Sequence, residues 1–344
     1  MWGGGRHHRF DFCGVISVEN ILYAWKKFRK GKRSKVDVRA FEFGLEENIF
    51  DLYYHLISGT WKPDPYVIFY VQDPKLRKIH KATVRDRVLY QLMYLYLYQI
   101  FDKSFIHDSY SSRKIKGTHL GIKRFEEFSR IVTKNYTQIA FTLKCDIRKF
   151  FDSIDHDTLI SLINKKIKDE KLMSLIVQII DSFHTTNRKG LPLGNVTSQI
   201  MANIYLNELD QFCKHTLKTE YYIRYCDDFV ILHNSREFLE SLIDKLQSFL
   251  TNKLRLTLHP RKVTIRKIKS GIDFLGYVLL PHYKVLRTKT KNRILKKISR
   301  MKYLYEKGQI DKEYFEQSIQ SYLGVLSHCK SEKIVESISR IFLD

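Results

Sequence analysis

What this 344-residue chain lacks narrows its chemistry before what it contains. Cysteine is sparse. Cys13, Cys145, Cys213, Cys226 and Cys329 are odd in number and never spaced as Cys-x-x-Cys, which argues against a disulfide scaffold and reads as reduced, mostly buried thiols. Its 13 histidines make no zinc-finger pattern with them, so a bound metal would need oxygen ligands. No apolar run reaches the length of a bilayer span, and Leu92-Met93-Tyr94-Leu95-Tyr96-Leu97-Tyr98 is flanked by polar residues. The stretch Met1 to His8 has no apolar signal-peptide core. Together these place the chain in the cytoplasm, with no membrane partner. Acidic residues are outnumbered, 37 against 60 Lys and Arg, and the resulting net charge of +23 points to a polyanionic partner, nucleic acid ahead of an anionic membrane surface.

Apolar content of 44%, with 13% aromatics, supports a sizeable buried core. Residues 1–64 read as an N-terminal helical extension. A helical pattern from Val18 to Trp25 leads into the basic run Lys26 to Arg33, either a solvated face or, given its interleaved aromatics, an RNA-facing helix. A second amphipathic helix spans Phe41 to Ser58 and ends at Gly59, before the linker Trp61-Lys62-Pro63-Asp64-Pro65. Residues 65–281 alternate strands and helices without a repeat or low-complexity segment, an α+β unit. Residues 282–344 form a basic helical appendage in which Ile294, Ile298, Met301 and Leu304 share one face, with a break at Lys307-Gly308-Gln309.

Two stretches place carboxylates where packing alone does not ask for them. In "YYIRYCDDFVIL" (221–232), Asp227 and Asp228 interrupt two short apolar strands, and an Asp-Asp pair is also an ordinary hairpin turn. In "IAFTLKCD" (139–146), an alternating strand ends on Asp146, itself an ordinary capping place, and a helix opens further on with Asp155 as cap. If these acids converge from adjacent strands they make an oxygen-only site for two Mg²⁺ ions, an arrangement suited to phosphoryl transfer. Without cations such a trio repels itself.

"LKCDIRKFFDSID" (143–155) and "YIRYCDDFVIL" resemble the two metal-binding motifs of reverse transcriptases, and further motifs follow that family's order: "SFIHDSYSSRKIKGTHLGI" (104–122), "KGLPLGNVTSQIMANIYLNELD" (189–210), "LRLTLHPRKVTI" (254–265) and "GIDFLGYVLL" (271–280). The resemblance implies a right-hand polymerase with fingers, an antiparallel palm and a small helical thumb over 282–344. It implies Asp146, Asp227 and Asp228 as catalytic metal ligands, with the Ile147 carbonyl completing a site for two Mg²⁺, which Mn²⁺ can replace. Phe151 would be a steric gate against a ribose 2′-hydroxyl, with core packing beside Phe150 as its plainer role. Arg113, Arg77 and Lys78 would meet the incoming nucleotide, beside Leu193, Gly194 and Gln199. Arg85 and Arg87 stand evenly between nucleotide and template phosphates. Lys262 would act as general acid for departing pyrophosphate or be a solvated loop lysine. Phe274, Leu275, Gly276 and Tyr277 resemble the primer grip.

One motif departs from the common pattern. Most reverse transcriptases show Gln-Gly-x-x-x-Ser-Pro where this chain has Leu193-Gly194-Asn195-Val196-Thr197-Ser198-Gln199, a form that resembles the diversity-generating retroelement subfamily, whose enzymes err opposite template adenine. Antiphage-defence enzymes that make DNA on a noncoding RNA share much of it. Partners implied are a structured template RNA, a primer or DNA product, dNTPs and a small basic accessory protein. With nothing in the sequence resembling an RNase H or endonuclease core, a partner would remove or nick nucleic acid. A noncatalytic RNA-binding scaffold is the remaining alternative, disfavoured because it has no need of three clustered acids.

Overall fold

Side-chain caps set the first helices. Asp11 accepts a hydrogen bond from Gly14 N at the start of α1 (Phe12–Val15), and Ser17 accepts one from Asn20 N at the start of α2 (Val18–Phe28). The computed structural model describes residues 11–72 and 75–343, so Met1 to His8 lie outside the described residues. The single helix expected over Phe41 to Ser58 is instead two, α3 (Val36–Phe43) and α4 (Leu45–Ile57). Gly44 between them leaves helical geometry, at φ −103° and ψ 40°, where glycine's weak helix preference makes the break cheap. β1 (Val67–Gln72) and β2 (Leu76–Lys81) pair as an antiparallel ribbon, and every residue of β1 is solvent-exposed. Thr83 caps α5 (Val84–Phe101), which is apolar around most of its circumference and correspondingly buried. The helices before Trp61 share one continuous core with α5.

α6 (Thr118–Val132) precedes β3 (Phe141–Asp146), the short α7 (Phe150–Ser153), α8 (His156–Asn164) and α9 (Glu170–Asp181). α10 (Val196–Gln211), β4 (Tyr222–Tyr225), β5 (Asp228–His233), α11 (Arg236–Leu254) and β6 (Thr264–Lys267) complete the central unit. The four strands form an antiparallel sheet in the order β4-β5-β3-β6. Strand periodicity divides them between two cores. Leu143, Cys145, Phe229 and Ile231 pack with α10 and α11, whereas Ile223, Val230 and Leu232 pack with Phe125 and Phe128 of α6.

The second core continues through a three-stranded sheet, β7 (Ile272–Phe274), β8 (Tyr277–Leu280) and β9 (Tyr283–Leu286), into α12 (Thr288–Glu306), α13 (Lys312–Leu326) and α14 (Glu332–Leu343). Ile294 and Ile298 of α12 are buried there against Phe315, Ile319 and Ile338. Among the described residues no helix is long and apolar enough to cross a membrane.

Candidate active site

Strand register brings the acids together. Asp146, last in β3, pairs directly with Asp228, first in β5, and Tyr225 pairs with Asp228 to close the β4–β5 hairpin. The two-residue turn is therefore Cys226-Asp227, with Cys226 in the left-handed region at φ 56°, while Asp228 belongs to the strand. Ile147 N donates to the Asp227 carbonyl at 3.3 Å, tying the segment after Asp146 to that turn.

Like charges facing each other across two strands destabilise a sheet unless cations intervene. Burial pushes the Asp228 carboxyl up to about 6, with Asp146 and Asp227 adding to it against the pull of the Lys144 ammonium. Burial and the neighbouring Asp146 also raise Asp227. Two lysines supply countercharge: Lys262 Nζ donates to Asp146 Oδ2 at 2.7 Å, and Lys144 Nζ lies 3.3 Å from Asp228 Oδ2 while donating to the Asp273 carbonyl at 2.7 Å. A cleft of about 380 Å³ opens here, lined by Lys75, Lys144, Asp146, Asp228, Lys262 and Arg287 among others.

These groups fit a hard divalent cation. Asp228 Oδ1 is buried without a hydrogen-bond partner among the described residues, an acceptor left open beside a second carboxylate. Among the described residues no three His, Cys, Asp or Glu side chains stand as a ready-made cage, and the ammoniums of Lys262 and Lys144 sit against Asp146 and Asp228.

A second cleft, of about 810 Å³, lies between the β1–β2 ribbon and the segment before α10. Arg77, Lys78, Lys149, Lys189, Leu193 and Arg255 are among its lining residues. His80 N donates to the Leu193 carbonyl at 3.1 Å, which fastens the ribbon to that segment. Gly194 sits at φ +112° with the place of a Cβ only 2.9 Å from Ile79 Cγ2, so a side chain is excluded by both torsion and space. Gln199 is exposed in the first turn of α10. Phe151 is half-buried beside the buried Phe150, their rings 5.3 Å apart, and its carbonyl accepts from Leu191 N at 2.8 Å.

Several expectations need correction. Arg113 is not free to meet a nucleotide: Nε donates to Asp102 at 2.7 Å, Nη1 to the carbonyls of Ile106 and Ser109, and Nη2 to the Asp102 carbonyl, which commits the guanidinium to folding its own loop. Arg85 binds Asp64, Asp86 and the Lys62 carbonyl, and Arg87 binds Asp37 over the Phe28 ring, so both are structural. Phe274 and Tyr277 are buried in the second core, which leaves Leu275 and Gly276, both at positive φ in the β7–β8 turn, as the less buried part of that motif. The sequence reading missed Lys144 and Arg224. For Arg224 the signal was present, a charged residue inside an apolar strand run, which demands a buried partner.

The fold is similar to a solved structure of apo telomerase from Candida tropicalis truncated from its C-terminal domain, with a TM-score of 0.51 at 12% identity, covering 70% of this chain and 60% of that one. This likeness shows the right-hand polymerase fold. Group II intron-encoded protein LtrA of Lactococcus lactis is 26% identical over 303 aligned positions, covering 67% of this chain and 49% of LtrA, so the chain spans about half of that relative. Protein YkfC of Escherichia coli is 25% identical over 265 positions, covering 65% of this chain and 69% of YkfC. The reverse transcriptase (RNA-dependent DNA polymerase) family matches residues 63–279, well over half of the chain, and this protein belongs to that family.

Proposed function

We propose that this chain copies a structured template RNA into cDNA in the cytoplasm, as an RNA-directed DNA polymerase that joins dNTPs to a primer end. The observation that carries the reading is the direct pairing of Asp146 with Asp228 next to the Cys226-Asp227 turn. Asp146, Asp227 and Asp228, with the Ile147 carbonyl, would hold two Mg²⁺ ions, for which Mn²⁺ can substitute. When bound, these ions supply Lewis-acid stabilisation of the attacking and leaving oxygens. Arg77 and Lys78 neutralise the triphosphate from the ribbon side, and Leu193, followed by Gly194, lines the same cleft from the other side. Phe151 limits space at the sugar. Lys262, already donating to Asp146, lies beside the acids where a proton for departing pyrophosphate is needed. Gln199 lies one turn into α10, past this wall.

The finer reading is an error-prone retroelement enzyme that is mutagenic at template adenine and works with a small basic accessory protein. It rests on Leu193 and Gln199, since the intron-encoded relative LtrA does not itself point to that subtype. An apolar Leu193 in place of a hydrogen-bonding side chain holds right and wrong pairs less differently.

Primer extension on an RNA template tests the first claim. Wild type should extend, and Asp227→Ala should fall to background while keeping its fold by circular dichroism; equal synthesis by both removes the mechanism. Leu193→Gln with Gln199→Pro should lower misincorporation opposite adenine by about tenfold, the scale of one hydrogen bond, and an unchanged error rate removes the mutagenic subtype.

A further inference from the structure

Behind the acids, on the sheet's opposite face, lies a charged cluster that no role above uses. Arg224 of β4 and Asp210 of α10 are both fully buried and paired twice, Nε to Oδ1 and Nη2 to Oδ2, each at 2.7 Å. Tyr222 donates to the same Asp210 Oδ1 at 2.7 Å. The other guanidinium donors go to Asn203 Oδ1 of α10 at 3.2 Å, Ser109 Oγ at 3.0 Å and the Cys226 carbonyl at 3.2 Å. That accounts for all five donors an arginine possesses. The Arg224 backbone is engaged as well, its N–H donating to the Asp108 carbonyl at 3.0 Å and its carbonyl accepting from Tyr110 N at 2.9 Å.

If the cluster served folding alone, the cheaper solution would be apolar residues, because burying an ion pair gains little over packing of equal volume. What apolar residues cannot do is grip a carbonyl. Arg224 grips the carbonyl of Cys226, the first residue of the turn, whose next residue is Asp227. Cys226 is held at φ 56°, a torsion a residue with a side chain rarely adopts unless its surroundings impose it. Asn203 connects the same guanidinium to α10, the helix that follows Leu193-Gly194, and donates onward to the Ser111 carbonyl at 2.9 Å.

We infer that Arg224, braced by Asp210, is a positioning residue that fixes the Cys226-Asp227 turn and thereby the direction of the Asp227 carboxylate. Through Asn203 and Ser109 the same guanidinium holds that turn in register with α10 and with the loop around residue 110. The inference rests on the polymerase reading, and its test separates the two.

The informative variant is the double substitution Arg224→Met with Asp210→Leu, which removes both charges together and leaves no buried charge unpaired. Melting temperature, primer-template affinity, extension kinetics and Mn²⁺ binding followed by electron paramagnetic resonance are measured for wild type, the double variant and Arg224→Lys. A positioning role requires a double variant that melts near wild type and binds primer-template equally, yet has kcat lowered at least about tenfold with KM for dNTP little changed, and Mn²⁺ affinity lowered in parallel. Arg224→Lys, which can reach one partner but not all, should not restore the turn. A double variant with wild-type kcat and Mn²⁺ affinity overturns the inference, whereas the polymerase reading then stands on wild-type extension. A double variant that does not fold directs the same measurements to Asn203→Ala, which removes the Asn203 tie to the guanidinium and to the Ser111 carbonyl and leaves the Asp210 pair intact; unchanged kcat and Mn²⁺ affinity there count against the inference. Mn²⁺ binding needs no turnover, so it judges Arg224 even if wild type fails to extend a primer.

Discussion

Phe150 and Phe151 are neighbours of identical chemistry, yet one is buried and the other is left half-open next to the segment that carries Leu191. A ring kept partly out of the core is available to press on a sugar. Phe151→Ala should raise ribonucleotide insertion so that the preference for dNTP over rNTP falls at least about tenfold, since a steric clash of this kind discriminates by more than one contact's energy. Single-nucleotide insertion kinetics measure it, and an unchanged preference returns Phe151 to a packing role. At this scale the acids were legible because carboxylates in an apolar strand have few structural uses. Arginine was not. Arg77, Arg87 and Arg113 look alike in the sequence, and only tertiary neighbours decide which guanidinium faces a cleft and which is tied to Asp37 or Asp102. Lys144 was missed for a related reason: its place two residues before Asp146 shows the shared strand face, but its bond to the Asp273 carbonyl joins segments far apart in the chain.

Among the elements, α8 shows a local signal that holds. Asp155 caps it, accepting from Thr158 N at 2.9 Å and Thr158 Oγ1 at 2.7 Å, and Arg255 Nη1 lies 2.8 Å from its other oxygen. Burial works to raise this carboxyl, but the Thr158 hydrogen bonds and Arg255 outweigh it and hold it below its ordinary value of 3.8. A depressed carboxyl contributes stability above the unfolded value, and that contribution is lost as pH falls through the folded one. Asp155→Ala should therefore cost about 1–2 kcal/mol at pH 7, and the gap from wild type should narrow by about pH 3. Urea denaturation at both pH values checks this, and a gap that widens in acid contradicts the sign. The cap was readable because it depends on residues three apart. The helix break at Gly44 was not, because a single glycine is tolerated inside many helices. Nor was the exposure of β1: Val67 to Val71 is a run of apolar and aromatic residues, yet each is exposed, and among the described residues its only strand partner is β2.

For the whole molecule, part of the positive charge lines the two clefts, with Lys75, Lys144, Lys262 and Arg287 at one and Arg77, Lys78, Lys149 and Arg255 at the other. A protein that neutralises six or more phosphates releases as many counterions, so affinity for an RNA–primer duplex should fall by about 10³-fold between 50 and 200 mM salt. Fluorescence anisotropy across that range tests it, and a fall below about tenfold would mean that these cations do not meet the backbone. The helical character of the C-terminal segment was legible from Ile294 and Ile298, but its union with α6 and the β7–β8 turn was not, since no sequence period reports packing between distant segments. That union matters for how damage spreads. Successive residues of β5 belong to opposite cores, Phe229 and Ile231 to one, Val230 and Leu232 to the other. A loosened α12 residue such as Ile298 therefore tugs on the very strand that begins with Asp228, and an injury remote from the acids can misalign them without touching either carboxylate.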